Sequence, residues 1–580
     1  MILESLVRAY SDLQNVGLVK EGWNLNGAVH YGIDVGRDGK VLHIITYVDD
    51  KKPKFMPIPL SIGKETGISN LDKFLYSNTR YLLGCVIDKK GKEYALLKRK
   101  DSFEHTARYH HYLLDDVNSE ASAAILNYFD YYCDNLDELH QSIGLSEHLS
   151  EYENSSFVLC YKGIPVQNYD EIFEAWNREF EHKVQEESNV NAISAISGLK
   201  TTIARTHGNI SGIGGTNPRL VSFNSPAFES YGKEQSYNAP VGVIETIRYT
   251  SALNAMIKNP DYHNFIGDIH IVAWADGLNK EYSDTFFAMM GVSNVGNQKV
   301  LAGVVDHIVK GKPVSVNAQT LIAEQRFHII GVSAAGGRVI VEFFLEDSFG
   351  ELIKNIEKHN QRMILSNDDE HHTPVWRIIS AIKQSEESNE KLEKKLLGSL
   401  FKSILLDTNY PDSIYLKTLD RIRKCGSADR LSRGGVISLD KIRVIKMFLA
   451  KNYISNSKEV IGLALNNNTN DESYNCGRLF AVLEKIQKDT GVENLSEKYF
   501  ASAMTTPATA FAKTMRTNQY YMRKLPEGSK IYYDNLIQDI TRNIKCFSSH
   551  FSQVEQGHFC LGYYHQKQEL YKKKENKETI

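Results

Sequence analysis

The clearest chemical pattern in the sequence is a helical segment with cations on one face. Residues 504–525 place two threonines before Pro507, an arrangement typical of an N-cap and a first helical turn. At about 100° per residue, Phe511, Met515 and Met522 share one face. The opposite third of the helix carries Lys513, Arg516, Tyr520, Arg523 and Lys524. Such a face could neutralise phosphates while the tyrosine ring stacks on a base, so we predict that it binds nucleic acid. An ordinary solvated helix face is the alternative.

A polar segment between Leu220 and Pro240 is the second candidate site. Its candidate base-reading side chains are Asn224, Lys233, Gln235 and Asn238. Asn and Gln amides can make paired bonds to the N6 and N7 edge of adenine, and Lys can reach a guanine or a phosphate. The same composition suits a loop whose amides satisfy its own backbone. Both interpretations stay open from the residues alone.

Enzyme signatures are weak throughout the chain. The nearest phosphate loop, GIGGTN at 212–217, has Asn217 where the dinucleotide motif needs its third glycine. A cluster of Asp368, Asp369, His371 and His372 could hold a divalent ion, which would make the chain a metal-dependent nuclease. No second His and Asp group stands at ligand spacing, so we favour a solvated polar loop. We therefore predict a protein that is not an enzyme, with no metal and no cofactor.

Charge is distributed unevenly along the chain. From Phe401 to the end, 28 Lys and Arg residues stand against 19 Asp and Glu residues, a net charge of +9, whereas the first 400 residues carry about −12. The C-terminal third is therefore the part that phosphate would attract.

The cysteines and the apolar runs indicate the compartment. Seven scattered cysteines include no C-x-x-C pair, which favours reduced thiols over disulfides or structural zinc. Glu4 and Arg8 interrupt what would be the apolar core of a signal peptide, and no run approaches about 18 apolar residues. We expect a cytoplasmic protein that does not enter a membrane.

The elements that must position these sites change type along the chain. Alternating residues at 28–35 and 41–48 flank Asp38-Gly39 and predict a β-hairpin. Two further strands, at 326–332 and 338–345, should pair before a helix from about 347 to 363, and from about Ser385 onward the spacing is helical. We predict an α+β fold, with a mixed sheet and helix N-terminal body and an all-α helical-bundle C-terminal domain. The predicted domains are 1–190, 191–365 with the polar loop, and 366–570, followed by a disordered tail at 571–580.

Several long blocks resemble one known family. They are LVSFNSPAFESYGKEQSYNAP at 220–240, CGRLFAVLEKIQ at 476–487, YFASAMTTPATAF at 499–511 and EQGHFCLGYYHQ at 555–566. They resemble the large subunit of the subtype I-C CRISPR effector (Cascade) complex, and the resemblance extends over nearly the whole chain.

The resemblance implies a function and a set of partners. It implies a non-catalytic subunit that recognises the protospacer-adjacent motif in duplex DNA, assists strand opening and recruits a helicase-nuclease, while guide pairing reads the sequence. The implied partners are crRNA, target double-stranded DNA and the backbone, handle-binding and small subunits. The C-terminal helical part resembles the small subunit of related complexes. A scaffold that touches only protein and RNA is a further alternative.

Overall fold

The computed structural model describes most of the chain. The described residues are 2–50, 52–60, 72–90, 93–186, 188, 190–223, 225–266, 268–292, 298–317, 319–366, 375–382, 390–424 and 437–572. They form two compact units, Met1–Lys258 with Ala334–Val339 and Asn259–Ser333 with Ile340–Ile580. The predicted domains at 1–190, 191–365 and 366–570 follow composition rather than contacts and stay predictions.

The first unit contains short helices and several small sheets. Its helices are α1 (Ile2–Asn15), α2 (Thr79–Leu82), α3 (Lys100–Leu114), α4 (Glu120–Asp134), α5 (Leu136–Ser142), α6 (Leu149–Tyr152), α7 (Asp170–Glu186) and α8 (Val243–Lys258). Its strands are β1 (Trp23–Val29), β2 (Tyr31–Val35), β3 (Val41–Thr46), β4 (Val48–Asp49), β5 (Lys52–Pro59), β6 (Tyr76–Asn78), β7 (Cys85–Lys90), β8 (Glu93–Lys98), β9 (Ser156–Tyr161), β10 (Ile164–Pro165), β11 (Asn191–Ile193) and β12 (Lys200–Thr202).

The largest sheet of this unit has the order β10-β9-β2-β3, with β6 also paired to β9. β2 and β3 pair antiparallel, which confirms the hairpin predicted from Asp38-Gly39, and β2 runs parallel to β9. Tyr128, Phe129, Phe157 and Trp176 are among the buried aromatic residues of the core. Because aromatic side chains bury large areas, this cluster supplies much of the unit's hydrophobic stabilisation.

The second unit combines one antiparallel sheet with many helices. Its strands are β13 (His263–Ile266), β14 (Ile269–Ala275), β15 (Val314–Val316), β16 (Gln319–Leu321), β17 (Arg326–Ala335) and β18 (Arg338–Ser348). Its helices are α9 (Lys280–Met289), α10 (Gln298–Val309), α11 (Phe349–Met363), α12 (Val375–Ile382), α13 (Glu390–Leu405), α14 (Asp412–Arg423), α15 (Leu439–Asn452), α16 (Ile454–Ser457), α17 (Glu472–Asp489), α18 (Leu495–Thr505), α19 (Pro507–Met522), α20 (Glu527–Thr541) and α21 (Gln553–Tyr571).

The predicted elements of this unit are confirmed. The sheet has the order β13-β14-β17-β18, so the two predicted neighbouring strands do pair, and α11 follows them. Every element described from residue 375 onward is a helix. The α+β fold with a helical C-terminal region is therefore confirmed.

Two glycines bring α17 and α21 into backbone contact. A Cβ atom added to Gly477 would lie 2.0 Å from the carbonyl oxygen of Phe559, and one added to Gly562 would lie 2.0 Å from that of Tyr474. Real Cβ contacts are not that short, so either addition would force the helices apart. The contact places the apolar stripe of Leu479, Val482, Leu483 and Ile486 in the core, as the sequence predicts.

We predict that Gly477→Ala destabilises the C-terminal helices. The added methyl group has no room in a packed helix interface, so the free energy of unfolding should fall by about 1 to 3 kcal/mol or more. Urea titration followed by circular dichroism measures the loss. The control is Gly528→Ala on α20, where an added Cβ meets nothing within 4 Å. An unfolding midpoint that Gly477→Ala leaves unchanged would contradict the close contact.

Candidate nucleic-acid interface

The polar loop, defined here as residues 226–239, is a chain of tight turns. It begins with a 3-10 turn at Pro226–Phe228, whose N-cap Ser225 accepts a hydrogen bond from the backbone of Ala227, and it ends with a second one at Gln235–Asn238. Most of its side chains up to residue 234 are exposed. The loop therefore exposes its side chains to solvent without a long helix or strand of its own.

A tight β-turn lies at the outer end of the loop. The backbone N–H of Lys233 donates to the carbonyl of Ser230 at 3.0 Å, and the two residues form an antiparallel bridge. Tyr231 and Gly232, the central residues, have φ values of 52° and 69°. Two positive φ values define a type I′ turn, a conformation that favours Gly, Asn or Asp.

Asn238 closes this loop with its side-chain amide. Its Oδ1 atom accepts from the backbone N–H of Ser230 at 3.0 Å, and its Nδ2 group donates to the carbonyls of Lys233 at 2.6 Å and Gln235 at 2.9 Å. These three bonds favour the structural alternative for Asn238, since a base edge would have to compete with them.

The other predicted loop residues differ in availability. The side chain of Lys233 is exposed, and no described carboxylate forms an ion pair with it. Gln235 is half-buried with φ 48°, and its amide has no hydrogen-bond partner among the residues that the structure describes. Asn224 lies outside the described residues. Base reading by Lys233, Gln235 or Asn224 stays a prediction.

Arg205 is a further cation at the base of the loop that the sequence did not reveal. Its carbonyl accepts the backbone N–H of Ser236 at 3.2 Å, which ties the loop to the chain beside β12. No ion pair to its guanidinium is present in the described part of the chain. No motif surrounds Arg205 in the sequence, and only the folded chain brings it beside Ser236, 31 positions away.

The basic helix α19 separates its two faces as predicted. Phe511 is fully buried, and Met515 and Met522 pack partly buried against the same core. All five predicted residues are exposed: Lys513, Arg516 and Tyr520 lie on the opposite side of α19, Arg523 is its C-cap residue, and Lys524 follows in the turn. The Lys524 ammonium lies 4.3 Å from the centroid of the Tyr520 ring, a cation–π contact.

Within the described ranges, none of Lys513, Arg516, Arg523 and Lys524 forms an ion pair with a protein carboxylate. By contrast, Lys530 on the next helix pairs with Glu527 at 3.1 Å. Uncompensated cations raise the local potential and attract phosphate, so α19 carries the strongest electrostatic feature of the predicted sites.

The start of α19 differs in one detail from the prediction. Pro507 occupies the first turn and Thr506 the N-cap position, as expected. However, the Thr506 hydroxyl makes no cap bond and donates instead to the carbonyl of Ser502 at 3.2 Å. Since α18 ends only at Thr505, the preceding helix offers an acceptor that the isolated segment does not reveal.

A serine, a histidine and an aspartate form a hydrogen-bonded chain in the C-terminal helices. Ser457 Oγ lies 2.9 Å from His558 Nε2, and His558 Nδ1 lies 2.8 Å from Asp471 Oδ2. Burial alone would raise the pKa of Asp471, but the hydrogen bond and charge of His558 hold that pKa below its ordinary value.

This order of groups is that of a hydrolase relay, yet the serine has no access to a substrate. Ser457 is 0% exposed and His558 3% exposed. These hydrogen bonds instead join the end of α16, the N-cap of α17 and the second turn of α21. The three residues are 14 to 101 residues apart in the sequence, so no local motif indicated them.

The acidic and histidine cluster considered as an alternative metal site belongs to a part of the chain that is not described. Asp368, Asp369, His371 and His372 lie outside the described residues. Elsewhere in the described ranges, no group of three or more His, Cys, Asp or Glu residues is arranged to hold a metal ion. Among the described helices, none has the length and apolarity that a membrane crossing needs.

Comparison with known proteins gives the family. No curated protein matches the chain. The model of the family described as CRISPR-associated protein (Cas_Csd1) matches residues 6–571, nearly the whole chain. This match includes both the polar loop and the basic helix. The chain therefore belongs to the CRISPR-associated Cas_Csd1 family.

Proposed function

We propose that this protein is the non-catalytic large subunit of a type I-C CRISPR RNA-guided surveillance complex. In this role it recognises the protospacer-adjacent motif in duplex DNA, assists strand opening and recruits a helicase-nuclease. Its partners are crRNA, target double-stranded DNA and the other subunits of the effector complex. Family membership over residues 6–571 and the resemblance of the long sequence blocks support this assignment.

The observation that carries the DNA-binding part is the exposed cationic face of α19. Two cations and one tyrosine occupy it, and two further cations follow at its C-terminal end, without protein carboxylates among the described residues to neutralise them. Neutralisation of phosphates releases counterions, and a ring among the cations offers a stacking surface. This combination suits the displaced single strand, which must be held without regard to sequence.

The polar loop is the proposed site of motif recognition. Among the predicted loop residues that the structure describes, Lys233 and Gln235 have unused donors or acceptors, whereas Asn238 braces the loop. Amide and ammonium groups read base edges in the major groove. In this proposal the loop makes the sequence-dependent contacts and the helix makes the sequence-independent ones.

We predict that the double variant Arg516→Ala, Arg523→Ala weakens the salt dependence of DNA binding. Each lost phosphate contact should lower the slope of log K against log salt by about 0.7 to 0.9, so the pair should lower it by about 1.4 to 1.8 on every sequence. Titration by fluorescence anisotropy over a salt series gives the slope. The matched control is Lys530→Ala, because that ammonium is already paired with Glu527. Equal slopes for the double variant and the wild type would exclude α19 as a phosphate-binding face.

We predict that Gln235→Ala lowers affinity for the correct motif selectively. Loss of a base-edge contact should cost about 1 to 3 kcal/mol on a motif duplex and little on a scrambled duplex. Asn238→Ala should instead weaken binding to both, since it loosens the whole loop. Equal losses from Gln235→Ala on both duplexes would remove its base-reading role, and no footprint on the motif-side duplex would favour a scaffold that touches only protein and RNA.

We expect purified full-length protein to leave DNA uncut. Incubation of single-stranded and duplex DNA with Mg²⁺ or Mn²⁺, followed by denaturing gels, tests this. Metal-dependent cleavage that is lost in Asp368→Ala or His371→Ala would replace the binding-subunit proposal with a nuclease.

A further inference from the structure

Tyr231 has an unusual position for an aromatic residue. Its side chain is 99% exposed, whereas the next most exposed large apolar residue of the described ranges, Leu199, is 68% exposed. Burial of an aromatic ring is favourable, so a ring that touches almost nothing gives up that gain in the free chain. The hydrophobic effect therefore favours a partner that covers it.

The backbone beneath this ring is also in a conformation that tyrosine rarely adopts. Tyr231 has φ 52° at the first central position of the type I′ turn, next to Gly232 at φ 69°. The left-handed region is unfavourable for residues with a bulky side chain, and Gly or Asn normally occupies this position. The turn therefore holds the ring outward at some cost to local stability.

The stem that presents the ring is fixed by hydrogen bonds on several sides. Asn238 bonds the backbone on both sides of the turn, at Ser230 and Lys233. Ser236 is buried and donates from its backbone to the Arg205 carbonyl. The Tyr237 hydroxyl lies 2.9 Å from the Ser188 hydroxyl. A ring on a braced stem loses little conformational freedom on binding, which favours a specific contact.

The surroundings of the ring favour a nucleic-acid base as its partner. The exposed ammonium of Lys233 lies two residues away on the same turn, and Arg205 lies at the base of the loop. An exposed ring beside cations is the combination on which bases stack. Glu229 and Glu234 are exposed on either side of the turn, so Lys233 is the cation within the turn itself and the stacking surface of the ring, rather than a net positive charge, favours a base.

We propose that Tyr231 stacks on a nucleic-acid base beside the recognition loop, one that duplex opening leaves unpaired. This inference rests on the proposed function and adds to it the positioning residue that holds the opened base. The ring reads no base edge, so its contribution depends on stacking area rather than on hydrogen-bond pattern and tolerates any of the four bases.

The turn itself provides a sharp test. Tyr231→Asn removes the ring but suits the positive φ, so it preserves or strengthens the turn. Tyr231→Phe keeps the ring and removes the hydroxyl. Tyr532→Ala on α20 is the control for loss of an exposed tyrosine elsewhere, since that ring is 55% exposed. Unchanged circular dichroism and melting temperature show that each variant is folded.

The probes are a motif duplex, a scrambled duplex and a single strand, each with 2-aminopurine at successive positions. The protein is the CRISPR complex purified through a tag on the full-length chain. Stacking should quench 2-aminopurine at one position of the wild-type complex. Tyr231→Asn should abolish the quench and weaken binding by about 5- to 150-fold, whereas Tyr231→Phe and Tyr532→Ala should stay within about 3-fold of wild type.

The outcomes separate this inference from the proposed function. A wild-type complex that does not distinguish motif from scrambled duplex contradicts motif recognition, whereas a quench on the single strand that depends on the ring still supports stacking by Tyr231. Motif preference with identical quenching and affinity for wild type and Tyr231→Asn overturns the stacking role and leaves motif recognition intact. Loss of co-purifying protein in Tyr231→Asn, with no change on DNA, also overturns it, because the ring then contacts protein.

Discussion

The close approach of α17 and α21 is the constraint on which the C-terminal helices depend. Gly477 and Gly562 let the two backbones touch. Phe480, on the buried side of α17, packs edge-on against Phe500 of α18 at 5.4 Å between ring centroids and against Phe511 of α19 at 6.5 Å. The apolar face of α19 is thereby fixed against the core. Its cationic face points to solvent because the other face is held by packing rather than because the cations repel one another.

The same helices enclose a polar network that fixes one arrangement of the chain. The Arg478 guanidinium is 2% exposed and bonds the side chains of Gln566, Asn475 and Asn467. Its partners are amides rather than carboxylates, and burial lowers its pKa from the ordinary value. A buried charge is tolerated only where its donors are satisfied. The segment between α16 and α17, which supplies Asn467 and Asp471, must therefore adopt a single conformation to complete the network.

Local pattern predicted the elements well and the polar contacts poorly. The β2–β3 hairpin, the β17–β18 pair and the two faces of α19 follow from turn residues and periodicity, which are properties of neighbouring residues. Asn238, Arg205 and the chain of Ser457, His558 and Asp471 depend on partners that only the fold brings together. The sequence places Tyr231 within a polar loop. Its positive φ and its exposure arise from a turn that Asn238 holds through a hydrogen bond to Ser230, eight residues earlier. Periodicity predicts which side of a helix is buried. It does not predict which side-chain amide already bonds to the protein's own backbone.

The loop and the helix face suit different parts of DNA recognition because different physical terms favour binding at each of them. On α19 the favourable term is electrostatic. Its cations attract any phosphate, and the free energy of that attraction falls as the salt concentration rises. In the loop the favourable term is preorganisation, since Asn238 and the buried Ser236 fix the backbone before any partner arrives. A rigid loop with one lysine adds little long-range electrostatic attraction. Once it touches a partner, however, its fixed shape favours partners that match it over those that do not. The affinity supplied by the cations of α19 and the selectivity supplied by the braced loop therefore rest on different physical terms, one that salt screens and one that the hydrogen bonds of Asn238 maintain.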